Sequence, residues 1–196
     1  MTTDFNYLIF SVFDISDFKL FTDAVKVIFE KQLRTGKAEL YSETPNPNGW
    51  ANPKSGGAHL PQFYCWQSGI YPHKVFFISN YEDGLSTVCR TIQKELKCNY
   101  VMCALSNGPE APFYKFYFSS SSFEERLIQV YKDDRWIFYE EGKPLSFEKL
   151  DYYRKRRIRN RLNNEIIKEY MLELGIDVNT IDTEIMKGIV YVRKEW

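Results

Sequence analysis

The sequence predicts an α+β fold, with a central mixed, mostly antiparallel sheet of six or seven strands and three main helices. Short apolar segments typical of strands recur along the chain, and segments with helical spacing of apolar residues lie between some of them. Aromatic residues, which favour strands, make up 17% of the composition. The length of 196 residues suits a single α+β domain spanning residues 1–196.

The first elements are a strand, a helix and a short strand. Residues 5–13 alternate loosely and predict the strand. Ser16 offers an N-cap for a helix that Gly36 closes, because apolar residues follow Ser16 at helical spacing. Residues 37–42 predict a short strand.

A β-α-β unit follows. Residues 74–79 and 99–106 are continuous apolar runs, typical of strands buried on both faces. Between them, residues 81–97 carry one apolar stripe with helical spacing. The unit predicts at least one parallel or crossover pairing.

The second half begins with a meander and ends with helices. Residues 113–119, 126–132 and 135–141 predict three strands, the last two joined by a two-residue hairpin turn. The spacing then predicts a long helix over 152–174, closed by glycine. Asn179 can cap a short helix ending at Gly188, before a final strand over 189–193.

Residues 42–62 form a long segment with four prolines and three glycines. A loop of this length is often functional or disordered. Trp50 lies in its middle, where it would anchor a partner if exposed or pin the loop if buried.

Charge and cysteine usage limit the function classes. The 26 acidic and 26 basic residues cancel, which argues against a whole-molecule grip on nucleic acid or on an anionic membrane. The N-terminus has the features of neither a signal peptide nor a membrane span. The four cysteines, without a CxxC motif, are expected to be reduced thiols of a cytoplasmic protein.

No catalytic or metal-binding pattern stands out. His59, Cys65 and His73 can be drawn as a metal site or a Cys–His dyad, but their spacing matches no zinc pattern. The carboxylate pairs lie at turns and element ends, where caps and turn residues are common. We therefore predict no catalytic residue, no metal and no cofactor, and an enzyme with an unrecognised site is the third hypothesis.

The predicted helix 152–174 begins with a dense basic cluster. Within eight positions it contains the six cations Arg154, Lys155, Arg156, Arg157, Arg159 and Arg161. Ile158, Leu162 and Ile166 form an apolar stripe, and Arg154, Arg157 and Arg161 are expected opposite it. Three readings stay open: a solvated face, a face for a protein partner, or a contact to nucleic acid.

Four segments together carry a resemblance: ISNYEDGLSTVC (78–89), RWIFYEEGKPLSFEKLDYYRKRRIRNRL (135–162), IIKEYMLELGIDV (166–178) and GIVYVRK (188–194). The combination resembles small cytoplasmic immunity proteins of bacterial polymorphic toxin systems. The resemblance implies a non-enzyme that binds and neutralises one cognate toxin. It also implies that the basic cluster defines the fold and that variable loops such as 43–62 select the partner.

The first hypothesis is therefore a protein-binding module, and the alternative is a nucleic-acid-associated protein that uses the basic residues 154–161. Loops and outward-facing aromatic residues are the usual places for recognition. The candidate partner-binding residues are Trp50, Tyr117, Gln129, Tyr131, Arg135, Arg154, Arg157 and Arg161. The partner's identity, the oligomeric state and any small ligand are left open.

Overall fold

The computed structural model describes residues 5–44, 53–54, 56–108 and 112–196. The strands are β1 (Tyr7–Asp14), β2 (Ala38–Ser42), β3 (Gln62–Ser68), β4 (Lys74–Ser79), β5 (Tyr100–Ser106), β6 (Phe113–Ser119), β7 (Glu125–Lys132), β8 (Trp136–Glu141) and β9 (Ile185–Arg193). The α-helices are α1 (Phe18–Ile28), α2 (Glu30–Arg34), α3 (Ser86–Leu96) and α4 (Asn164–Glu173). Two 3₁₀ segments, Leu150–Arg154 and Ile158–Asn160, precede α4.

The strands form one nine-stranded sheet in the order β2-β9-β3-β4-β1-β5-β6-β7-β8. Neighbouring strands are antiparallel throughout. The α+β class is confirmed, but the predicted six or seven strands and three helices are too few, and the sheet is not mixed. The α3 crossover is present, yet β4 and β5 do not pair because β1 lies between them.

Helices cover the sheet on two sides, which we name by those helices. On the α4 face, Leu8, Phe10 and Val12 of β1 belong to a core that includes α4. On the α3 face, Ile9 and Phe13 belong to a core that includes α1 and α3. The apolar runs of β4 and β5 are buried on both sides, as predicted, because side chains alternate between two covered faces. None of the described helices is long and apolar enough to cross a membrane.

The predicted first helix is divided into α1 and α2 at Phe29. Its N-cap is Asp17 rather than Ser16, since the Asp17 carboxylate accepts hydrogen bonds from the backbone N–H groups of Lys19 and Leu20. Strand β3 was not predicted from the sequence, although it lies inside the sheet between β9 and β4.

The predicted long helix over 152–174 is wrong in its first half. Residues 155–157 leave the helical conformation, and α4 begins only after Asn163, whose side chain accepts a hydrogen bond from the Ile166 backbone N–H. A continuous helix would place like charges three and four positions apart, which is unfavourable. An asparagine that caps a new helix gives the chain an alternative start.

The predicted short helix between Asn179 and Gly188 is also wrong. Residues 179–184 form turns, and β9 begins at Ile185. The Trp66 indole N–H donates to the Ile181 carbonyl at 2.7 Å, and the Tyr71 hydroxyl contacts the Thr180 hydroxyl at 2.7 Å. Trp66 and Tyr71, which lie outside the segment, therefore form hydrogen bonds with polar groups of these turns.

Candidate interaction site

Most of the predicted partner-binding residues lie at the β6–β8 end of the sheet, but on different sides of it. Gln129 and Tyr131 lie on the α3 face, in the same alternation as Leu127. The basic cluster lies against β8 on the other side, where the Arg161 guanidinium lies 5.3 Å from the centre of the Phe138 ring. Arg135 is exposed at the hairpin between β7 and β8.

Trp50 lies outside the described residues, as does most of the long segment around it. Tyr117 was expected to point outward for a partner; it is on the α3 face but only 5% exposed, because the Arg90 guanidinium of α3 lies over its ring at 5.2 Å. Tyr117 can therefore form the back of a site but not its surface.

The basic cluster forms a turn with an apolar base and a charged rim. We call residues 154–161 the basic turn. Tyr153 and Leu162, which flank it, are buried in the α4-face core, and Ile158 packs against that core. The Arg161 side chain donates from Nε to the Lys155 carbonyl at 2.9 Å, which ties the two ends of the turn together. Apolar packing and this hydrogen bond thus both stabilise the turn.

The cations of the basic turn have no counter-charge among the described residues. None of the six makes an ion pair there, and five of them are exposed, Arg161 being half-buried. Three carboxylates near the turn are engaged elsewhere: Glu148 and Glu140 bind Arg126, and Glu169 binds Lys149. The turn therefore presents a concentrated positive charge on a molecule whose net charge is zero.

At the same end of the sheet, none of the described helices covers the α3 face. Neither β7 nor β8 contributes a buried residue to the α3-face core, whereas β7 contributes Ile128 and Val130 to the α4-face core. Gln129 and Tyr131 are half-buried, and Tyr139 of β8 is 43% exposed. The covering helices thus stop short of the last two strands on this face.

Lys115 of β6 lies on this open face, and sequence reasoning missed it. Its ammonium donates to the Met102 thioether at 3.6 Å and lies 5.8 Å from the centre of the Tyr117 ring. Burial, together with the neighbouring Arg90 charge, lowers the pKa of Lys115. The signal in the sequence is a lysine that alternates with Phe113 and Tyr117 on an aromatic strand face.

Arg126 of β7 occupies the opposite, α4 face and is 2% exposed. Its guanidinium donates to Glu148 from Nε at 2.9 Å and from Nη2 at 2.7 Å, and to Glu140 at 2.6 Å. Burial alone would lower the pKa of Arg126, but these hydrogen bonds outweigh it and raise the pKa. Glu148 also accepts from the Tyr153 hydroxyl at 2.8 Å.

This Arg126–Glu148 cluster fixes the chain after β8 onto the sheet. Arg126 Nη1 also donates to the carbonyls of Glu141 and Gly142, at 3.2 and 3.1 Å. Gly142 has φ +85°, and a Cβ there would stand 2.0 Å from the Glu125 carbonyl oxygen, so only glycine allows this close approach. With its donors and acceptors satisfied, the cluster is a structural lock and offers no free group for chemistry.

The histidine–cysteine grouping considered from the sequence is not assembled. His59 Nε2 contacts the Asn80 carbonyl at 3.0 Å, and His73 Nδ1 contacts the Ser16 hydroxyl at 2.8 Å, on the protein surface. Among the described residues, no three His, Cys, Asp or Glu side chains group so that they could hold a metal ion.

All four cysteines are free thiols, and all four are buried. Burial raises the pKa of the Cys89 thiol to about 12 and that of Cys98 to about 11. A thiol of this kind is mostly protonated near neutral pH and is a poor nucleophile.

A groove of about 620 Å³ lies elsewhere, between α1 and the start of β9. Its described lining includes Lys19 and Lys26, which both pair with Asp23, and none of the candidate partner-binding residues that the structure describes. The groove therefore does not connect the candidate residues.

No family model, curated protein or solved structure matches the chain.

Proposed function

We propose that the protein is a non-enzymatic protein-binding module, of the type of a toxin-neutralising immunity protein, and that its basic turn docks an acidic surface of the partner. One observation carries the proposal: six cations on this stabilised turn have no counter-charge among the described residues. Complementary charge steers partners together and fixes their register.

The composition of the turn suits a protein partner. Arginine is enriched at the energetic centres of interfaces, and five of the six cations are arginines. Half-buried aromatic rings lie beside the cations: the Lys155 ammonium lies 4.0 Å from the centre of the Tyr152 ring, and Arg161 lies over Phe138. These rings limit the freedom of the long side chains, so less entropy is lost when a partner binds.

The resemblance to immunity proteins supports a protein partner, although it assigns partner selection to loops such as 43–62 and not to the basic turn. It assigns a fold-defining role to this segment, and its apolar residues Tyr153, Ile158 and Leu162 fill that role by packing in the α4-face core. The exposed cations take no part in this packing and are left for a partner.

The test uses the product of the gene adjacent to the one that encodes this chain, co-expressed with it and purified. We expect a stoichiometric complex that forms more weakly as salt rises. The triple variant Arg154→Glu, Arg157→Glu, Arg159→Glu should weaken it at least about 100-fold by calorimetry, because attraction becomes like-charge repulsion.

The matched control reverses three exposed cations elsewhere, Lys31→Glu, Arg34→Glu and Lys94→Glu, none of which makes an ion pair among the described residues. It applies the same change of net charge and should alter the affinity by only a few-fold. Equal losses in the two triple variants would show that net charge, and not the basic turn, governs binding.

Nucleic acid is the second candidate, because the same unneutralised cations can contact phosphates. The zero net charge of the molecule speaks against it. We expect dissociation constants for duplex DNA and RNA no tighter than about 10⁻⁴–10⁻⁶ M at physiological salt, the range of non-specific binding. Sub-micromolar binding in fluorescence anisotropy would show that the basic turn binds nucleic acid.

A further inference from the structure

Lys115 is a half-buried cation that has no carboxylate partner among the described residues. Among the described residues, the one acceptor that its ammonium reaches is the Met102 thioether at 3.6 Å, and a thioether is a weak acceptor. A shielded ammonium has three donors to satisfy and is unfavourable without a counter-charge. The fold therefore leaves this group in need of an anion.

The charges that act on Lys115 include no direct ion-pair partner of its ammonium among the described residues. Arg90 lies close enough to act on Lys115, but it already pairs with Glu125 at 3.3 Å. Asp83 also acts on Lys115, and it does not come within ion-pair distance of the ammonium. These four charges nearly cancel, so what the ammonium lacks is a partner at hydrogen-bond distance, which a single carboxylate would supply.

The surroundings supply a polar neighbour and aromatic walls. Gln129 is the cross-strand partner of Lys115, which places the two side chains about 5 Å apart at Cβ. One step along the strands, the Phe113 and Tyr131 rings lie 6.0 Å apart, and on the other side lies Tyr117. The α3 face is open here, so a ligand can enter from solvent.

We propose that Lys115 and Gln129 form a binding site for a carboxylate carried on an apolar or planar group. The carboxylate accepts hydrogen bonds from the Lys115 ammonium and the Gln129 amide, and the attached group contacts the aromatic rings. This site lies on the face opposite the basic turn, and it goes beyond the proposed function and does not depend on it.

The test measures binding of sodium benzoate to the whole protein by NMR titration, with neutral benzamide as the uncharged comparison. We expect benzoate to bind with a dissociation constant of about 1–10 mM, as a small ligand permits, and benzamide to bind at least about 10-fold more weakly. Lys115→Met should weaken the affinity for benzoate by about 10-fold or more. Lys115→Gln should weaken it by a similar factor, because glutamine is polar but has no charge.

Lys132→Met is the matched control, because Lys132 is an exposed lysine at the same end of the sheet. It should leave the affinity within about twofold. Equal binding of benzoate to wild type and Lys115→Met would overturn the proposal.

A second arm separates two sources of the carboxylate. A blocked Gly-Glu-Gly peptide is compared with its Gly-Gln-Gly counterpart. A glutamate peptide that binds more tightly than benzoate supports the acidic side chain of a partner, and tighter binding of benzoate supports a free organic acid. If neither probe binds wild type more tightly than its neutral counterpart, the proposal fails.

Discussion

Arg126 and Lys115 stand on adjacent strands at the same end of the sheet, and the fold compensates one but not the other. Arg126, on the α4 face, meets two carboxylates and two backbone carbonyls. Lys115, on the α3 face, meets a thioether and an aromatic ring. The cause is the layer above each: the chain after β8 folds over the α4 face and brings Glu148, while the helices of the α3 face end before β7 and β8.

The difference teaches how one sheet end can serve two purposes. A compensated buried cation stabilises one arrangement of the chain, because loss of either partner leaves an unpaired charge. A cation without a counter-charge at an open face still has hydrogen-bond donors and a positive charge that a ligand can use. We therefore expect removal of charge to have opposite effects on stability at the two sites.

The largest effect is expected from breaking the Arg126–Glu148 pair. Glu148→Gln leaves the Arg126 guanidinium buried without its main counter-charge, and it should lower the free energy of unfolding by about 3–5 kcal/mol. Urea denaturation followed by circular dichroism measures this.

The double variant Arg126→Met, Glu148→Met is the control for that loss. Replacement of a buried ion pair by apolar residues is often close to neutral, so the double variant should be more stable than Glu148→Gln alone. A loss below about 1 kcal/mol for Glu148→Gln would mean that the pair does not hold the chain after β8.

Core residues beneath the basic turn should give the next largest effect. Leu162 and Ile166 are buried in the α4-face core, and their replacement by alanine should lower the free energy of unfolding by about 2–5 kcal/mol each. Ile158 is half-buried, so Ile158→Ala should cost less than either. An Ile158→Ala loss larger than that of Leu162→Ala would contradict the packing described for the turn.

The helical spacing of the sequence identified Leu162 and Ile166 correctly although the helix is shorter than predicted. The spacing of apolar residues predicts which positions are buried. The break at residues 155–157 depends instead on charge repulsion and on the cap at Asn163, and neither of these affects the apolar spacing. The strands with continuous or alternating apolar residues, such as β5 and β7, were predicted for the same reason.

Arg126 and Lys115 show which features of this end of the sheet cannot be predicted from the sequence. Arg126 alternates with Ile128 and Val130, so the sequence contains the signal that it occupies a core position. Its partner Glu148 lies 22 residues away, and their meeting depends on the path of the chain after β8. The open face around Lys115 depends likewise on where α3 ends in space, which no local pattern encodes.

Lys115→Met should have a smaller effect, of the opposite sign. Removal of a shielded, unpaired charge should raise the free energy of unfolding at pH 7 by about 1 kcal/mol. The native pKa of Lys115 lies below the ordinary value of about 10.4, so between those two values the native protein binds fewer protons than the unfolded chain, and wild-type stability rises with pH.

The advantage of Lys115→Met over wild type should therefore be complete below the native pKa, shrink as the pH rises from the native pKa to about 10.4, and level off above that value. Denaturation of both proteins across this pH range measures the difference between their free energies of unfolding. The effects of other titrating groups are the same in both proteins and cancel in this difference. If Lys115→Met is instead less stable than wild type at pH 7, the ammonium already has an adequate partner within the fold.

The smallest effect on stability is expected from the exposed cations of the basic turn. Arg154→Ala and Arg157→Ala should each change the free energy of unfolding by no more than about 0.5 kcal/mol, since neither side chain makes an ion pair among the described residues. Together they should be slightly stabilising at low salt, because the remaining like charges repel less, and this gain should disappear at high salt. Urea denaturation at two salt concentrations measures both effects. A loss of more than about 1 kcal/mol would show that the fold itself uses these arginines, and the basic turn would then belong with Arg126 as structure and not with Lys115 as a binding surface.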